Sequence, residues 1–272
     1  MKLLPVFPAY STPLDKLGWW ALRVLCVLLL VFLLLPILAI IPLSFSSSSF
    51  LAYPMPGWSL RWYDNLFTSP AWLLATKNSF IVAPSAAFIA TVLGTLAAVG
   101  LARVQFFGKG LLMSILILPM VVPVVVVAVA TYLLFARIGL SDSYAGLIIV
   151  HAALGAPFVL TTVMATLQNF NQNLVRASRS LGAGPLETFF RVTLPVIAPG
   201  VISGALFAFA ISFDEVVVTL FLAGPQQTTL PRQMFTGIRE NITPTIAAVA
   251  TLLIIFTTSL MLVLEWIRRQ RH

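Results

Sequence analysis

Six apolar runs recur along this chain of 272 residues, at approximately 21–43, 78–102, 111–136, 143–167, 200–223 and 245–267. A helix rising 1.5 Å per residue crosses ~30 Å of hydrocarbon in about 20 residues, which is the length of these runs. In lipid every backbone N–H and C=O must be paired within the protein, so runs of this length predict membrane helices. Composition agrees: 60% of the residues are hydrophobic and 9% charged, and the mean hydropathy is +1.02. One soluble core of this size cannot hide that much apolar surface. The expected fold is an all-α integral membrane protein with six transmembrane helices.

The runs differ in quality. The second carries Asn78, Ser79 and Pro84 near its start. The third contains Pro119 and Pro123 followed by four valines, Val124 to Val127, and is expected to be one proline-distorted membrane helix. Gly94, Gly100, Gly146, Gly155 and Gly204 point to close helix packing. Lys2 and Lys16 lead into the first run, which is longer than a signal-peptide core and lacks a small-x-small cleavage site, so it is expected to stay as an anchor. The longest connection, 44–76, holds the serine run Ser46 to Ser49, Pro54, Pro56, Gly57 and the aromatics Trp58, Trp62 and Tyr63. An interfacial loop with a short amphipathic helix near 60–67 fits that content. The expected division is therefore 1–76, an anchor with its external loop, and 77–272, the core.

Basic residues set an orientation. With the N-terminus inside, Lys2, Lys16, Arg23, Arg103, Lys109, Arg176, Arg179, Arg191, Arg268, Arg269 and Arg271 are cytoplasmic, whereas Arg61, Lys77, Arg137, Arg232 and Arg239 are external. That bias of 11 to 5 places both termini in the cytoplasm. The net charge of +8 thus reads as membrane orientation rather than nucleic-acid binding. The lone Cys26 excludes an internal disulfide or a cysteine metal cluster.

Catalytic signatures are absent. No G-x-x-x-x-G-K-[ST] occurs to cradle nucleotide phosphates. The two histidines, His151 and the C-terminal His272, make no metal site, and no Ser/His/Asp spacing suggests a nucleophile. The chain is expected to be non-enzymatic and to bind no metal or other cofactor of its own.

Between the fourth and fifth runs lies a polar connection, about 168–200, that contains Arg176-Ala-Ser-Arg-Ser-Leu-Gly-Ala-Gly-Pro185 and ends in Val-Thr-Leu-Pro195. It reads as a short helix, a break at Gly182–Pro185, a second short helix and a stop at Leu194-Pro195. Ala177, Ser178, Gly182, Leu194 and Pro195 resemble the EAA loop of ABC-importer permeases, with Arg176 where that motif has its leading glutamate. The resemblance runs from about Lys77 to the C-terminus. It implies six helices of the type I importer-permease kind in the bacterial inner membrane, with this loop docked on a cytoplasmic ABC ATPase dimer. It implies a second permease chain and an external solute-binding protein, with ATP and Mg used by the ATPase. The charge bias and the resemblance place the loop on the same side.

Asp214 and Glu215 lie inside the fifth run. A carboxylate in hydrocarbon costs roughly 2.5–3.5 kcal/mol unless it is paired or faces a polar path. Neighbours on a helix diverge by about 100°, so one acid is expected to line a path while the other caps a broken helix or pairs with a neighbour. His151 is a second candidate for the path, with Phe213 and Tyr132 forming, beside Phe158, Phe207 and Phe209, a possible cage for a cation. Asp214, Glu215, Val217, Val218, Gly224 and Pro225, then Leu230, Pro231, Ile238, Pro244 and Ala247, resemble permeases of spermidine/putrescine importers, as do His151 and Pro157. That likeness implies a small amine-containing solute. Val124 stands where those permeases can carry an acid, which leaves a mono-amine, an opine-like amino acid derivative or an aminophosphonate as the alternative. A stand-alone ion-coupled carrier would show matching halves, and the acid pair has no counterpart in the first half.

Overall fold

The computed structural model describes residues 12–168 and 170–270. Lys2, Arg271 and His272 lie outside the described residues. Among those described there is no β-strand, only an isolated antiparallel bridge between Ser46 and Trp58. The chain divides into two compact units, Met1–Phe67 with Glu240–His272, and Thr68–Arg239.

In the first unit, helix α1 (Pro13–Leu43) opens on a capping box in which the Asp15 N–H donates to Thr12 Oγ1 and the Thr12 N–H to Asp15 Oδ2. None of its residues is buried, as suits a helix whose solvent is lipid. The connection that follows is more ordered than an anchoring loop requires. Trp62 Nε1 donates to the Ser46 carbonyl at 2.8 Å, and the hydroxyls of Ser44 and Tyr63 meet at 2.7 Å. These bonds fix a short helix α2 (Arg61–Thr68) close to where the amphipathic pattern puts it. Helix α12 (Pro244–Gln270) belongs to the same unit and is apolar over Pro244–Ser259.

The second unit is built on three helices, α3 (Pro70–Arg103), α6 (Tyr144–Gln168) and α9 (Leu194–Asp214). Small residues let them approach. A β-carbon on Gly155 of α6 would sit 3.0 Å from Ala208 Cβ of α9 and 3.4 Å from Ala90 Cβ of α3. Around that point Ala86, Ala90, Val159, Leu160, Val163 and Ile197 form a closed core. Beginning at Pro70, α3 starts ahead of the boundary expected after residue 76.

Among the described residues four helices are long and apolar enough to cross a membrane, or five if one bent pair counts as a single span. That pair, α4 (Lys109–Val121) and α5 (Val124–Ile138), corrects the single distorted helix expected there. The two meet at 100°. Pro123 disfavours helical backbone in the residue before it, and Val122 is extended, with φ −68° and ψ 134°.

The fifth expected run is also displaced. Instead of stopping at Leu194-Pro195, the chain continues helically from α8 (Pro185–Thr188) through a π turn, Phe189–Thr193, into α9. The wider turn carries the Leu194 N–H to the Phe189 carbonyl, so the helix passes a proline that would end a tighter one. Its continuous length is Pro185–Asp214, 30 residues. At the far end, α9 stops at Asp214 and a separate α10 (Val217–Leu222) follows, where one helix to residue 223 is expected from the sequence. Glu215 is extended, with ψ 113°, and the valines at 216–218 favour helix weakly.

Candidate functional site

The break between α9 and α10 carries the acid pair. Asp214 ends α9 with its side chain exposed. Glu215 is half-buried, and its Oε1 accepts the Val218 N–H at 2.9 Å, capping the first turn of α10. The 100° divergence expected of helical neighbours does not apply once Glu215 leaves the helix. Both acids border one shallow, open depression with Ala210 and Ile211.

His151 does not face that depression. It is 1% exposed, with Nδ1 2.8 Å from Ser212 Oγ on α9 and Nε2 3.4 Å from Thr219 Oγ1 on α10. Thr219 Oγ1 also donates to the Glu215 carbonyl at 3.1 Å. One imidazole on α6 therefore brackets the break from behind. Phe213 is buried too, its ring 5.3 Å from Phe209 and 5.6 Å from Phe80. Tyr132 stands exposed on α5 and joins no ring contact among the described residues. The five-ring cage is thus not assembled: Phe209 and Phe213 pair, with Phe80 as the third ring.

The connection after α6 has its own geometry. Helix α7 (Asn173–Ser180) ends where Gly182 adopts φ +88°. The Ala183 N–H donates to the Ser178 carbonyl at 3.2 Å and the Gly182 N–H to the Arg179 carbonyl at 3.0 Å, which together make a Schellman motif. Nothing lies within 4 Å of a β-carbon placed on Gly182. The left-handed backbone alone selects glycine here. Pro185 then starts α8, and the Ser178 and Thr188 hydroxyls, 3.1 Å apart, tie α7 to α8. Leu181, Leu186 and Phe190 are 89%, 74% and 60% exposed. Arg176 and Ala177 are exposed on α7, whereas Leu194 and Pro195 lie beyond the π turn at the start of α9.

A third polar cluster is missed by sequence reasoning. Asn78, in the apolar sequence a blemish, is fully buried and donates through Nδ2 to the carbonyls of Gln226 and Thr228, both at 2.8 Å. Its Oδ1 accepts from the Tyr144 hydroxyl at 2.7 Å. Ser79 Oγ accepts the Leu230 N–H at 2.8 Å. Arg232, on α11 (Leu230–Glu240), donates to the carbonyls of Ala223 and Gly224. Burial lowers its pKa, and Asp142 opposes that shift. These bonds pin the segment after α10 to α3 and α6. An amide beside a hydroxyl at the start of an apolar run was the available signal.

Long apolar helices around a small-residue core, with an exposed arginine-bearing connection between two of them, are the architecture of a helical membrane protein. Residues 90–270 match the family model described as "binding-protein-dependent transport system inner membrane component", and the chain belongs to that family. It is a multi-pass subunit of the inner membrane whose role is passage of solute. It is similar to the spermidine/putrescine transport system permease protein PotC of Haemophilus influenzae, 31% identical over 89% of this chain and 93% of that protein. The putrescine transport system permease protein PotI of Escherichia coli is 34% identical over 90% of this chain and 88% of that protein. In fold it resembles a bacterial ABC transporter involved in import of the acidic polysaccharide alginate, with a TM-score of 0.75, 15% identity, and 96% and 99% of the two chains covered.

Proposed function

We propose that this permease subunit carries a small amine-containing solute of the polyamine type inward, using ATP hydrolysed with Mg by a separate ABC ATPase dimer. The carrying observation is the break at Asp214–Glu215. It leaves one carboxylate exposed and unused by the fold while the neighbouring one caps α10. A cationic amine supplies what an acid at membrane depth lacks. Similarity to PotC and PotI over most of the chain supports the same class of solute.

The remaining parts follow from the same reading. Asp214, Glu215, Phe213 and Tyr132 are candidates for the path, with His151 behind it. Both termini and the connection at 168–200 face the cytoplasm, where Arg176, Ala177, Ser178 and Gly182 form the docking knob and exposed Leu181 and Leu186 its apolar contact. A second permease chain, different from this one, completes the pore, and an external binding protein delivers solute. The chain itself binds no metal or other cofactor and no nucleic acid. Val124 at the start of α5 favours an alternative solute with fewer positive charges: a mono-amine, an opine-like amino acid derivative or an aminophosphonate.

The test is uptake into proteoliposomes holding the complete complex and its binding protein, with putrescine, spermidine and the alternative solutes offered separately. ATP-dependent accumulation of a polyamine is the expected result. Accumulation of an aminophosphonate or amino acid derivative alone would replace the polyamine reading, and accumulation without ATP would overturn the importer reading.

A further inference from the structure

The end of α3 and the face of α7 that carries buried Val175 border an open cavity of about 370 Å³ lined by Ala102, Arg103, Gln172, Val175, Arg176 and Arg179. Three arginines line it and, among the described residues, no carboxylate does. The side chains of Arg176 and Arg179 make no hydrogen bond or ion pair among the described residues, and the Arg103 side chain reaches only Thr193 Oγ1, at 3.4 Å. Like charges gathered this way repel one another, and an entering anion reverses the sign of that energy. The planar fork of arginine matches a carboxylate with two parallel hydrogen bonds.

We propose that this cavity docks an acidic side chain of the partner ATPase, gripping α7 and the end of α3 at once. The inference rests on the reading that the 168–200 connection meets an ATPase. Its position favours a protein carboxylate: Arg176 and Arg179 share one face of α7, the helix that leads directly into the exposed tip at Leu181–Leu186. Thr193 belongs to the π turn that feeds α9. An acid held by Arg103, Arg176 and Arg179 therefore touches α3 and α7 and, through Arg103, the root of the helix that ends at Asp214. The ATPase so matched carries an acid where the EAA-loop resemblance would have the permease carry it. Charge at this contact is exchanged between the partners.

The experiment measures the dissociation constant between the full-length permease in phosphatidylcholine nanodiscs and its cognate ATPase, across a range of NaCl concentrations. The expected parent affinity falls as salt rises. Arg176→Gln and Arg179→Gln are expected to weaken the complex by about tenfold or more, the scale of one charge-assisted hydrogen bond, and to flatten the salt dependence. Arg176→Glu weakens it further, and Arg176→Lys retains part of the affinity, which a folding defect would not allow. Parent-like affinity and salt dependence in Arg176→Glu would overturn the proposal while leaving docking itself intact. A parent permease that binds no ATPase would overturn the docking reading and this inference with it. If the arginine variants bind ATPase normally but lose phosphatidylglycerol that the parent retains through purification, the anion is a lipid headgroup and the proposal is wrong.

Discussion

Nδ1 of His151 lies 2.8 Å from the hydroxyl of Ser212, joining the N-terminal half of α6 to the last turn of α9 immediately before the acid pair. The same ring reaches Thr219 beyond the break. A helix interruption within an apolar core exposes backbone groups, and it persists only where side chains hold both ends. Here one imidazole and two hydroxyls do so.

The first prediction follows from that bond. Interhelical hydrogen bonds inside membrane proteins are worth about 0.6 kcal/mol on average and reach about 1.7 kcal/mol. A double-mutant cycle with His151→Ala and Ser212→Ala, read by thermal unfolding of the purified complex, should give a coupling in that range. Additive losses would show that the two groups do not act together.

A second prediction concerns Gly182. Its positive φ costs a non-glycine L-residue roughly 1–2 kcal/mol, and no neighbour obstructs a β-carbon. ATP-driven uptake should therefore decline in the order Gly, Asn, Ala, Val at this position, because asparagine tolerates the left-handed cap best. Membrane insertion should be unchanged in all four. Parent-level uptake in Gly182→Val, with its ATPase attached, would remove the Schellman break from the coupling mechanism.

The third prediction is topological and derives from the distribution of basic residues. In a background lacking Cys26, Ser47→Cys and Gln227→Cys should react with an impermeant thiol reagent added to intact cells. Gly184→Cys should react only after the membrane is opened, or stay protected by the ATPase. Labelling of Gly184→Cys from outside would reverse the assigned orientation.

The three spans of the core are legible in the sequence as long apolar runs, the last of them displaced. Gly94, Gly155 and Gly204 fall where helices touch, whereas nothing lies within 4 Å of a β-carbon on Gly100, also expected to mark close packing. Gly182 is legible for a local reason: a glycine between a polar helix and Gly-Pro marks a left-handed cap. Pro195 misleads, because a proline signals a helix end only when the helix before it is regular, and the π turn at Phe189–Thr193 has no compositional mark. Pro123 announces a distortion but not a 100° bend, which depends on where the two halves find packing partners. Asn78 and His151 are visible as polar residues in apolar runs, yet their partners lie 148 and 61 positions away. Spacing along the chain carries no trace of such bonds.

The acid pair itself is expected to divide its labour. Glu215→Gln keeps an oxygen to accept the Val218 N–H and so preserves the cap, whereas Glu215→Ala loses it at a cost of about 1 kcal/mol. Glu215→Ala should therefore assemble less well than Glu215→Gln. Equal assembly of the two would mean that the bond between Glu215 and Val218 contributes nothing to the fold.

Asp214→Asn tests the central claim most directly, because the side chain is exposed and Asn leaves the helix end undisturbed. The measurement is putrescine or spermidine uptake into proteoliposomes at subsaturating solute, normalised to assembled complex. One charge-assisted hydrogen bond is worth about 1.5–3 kcal/mol, so uptake should fall by about 10- to 150-fold while assembly and ATP hydrolysis stimulated by the loaded binding protein remain near the parent level. Transport by Asp214→Asn at the parent rate, from an equally assembled complex, would contradict recognition of an amine by this carboxylate.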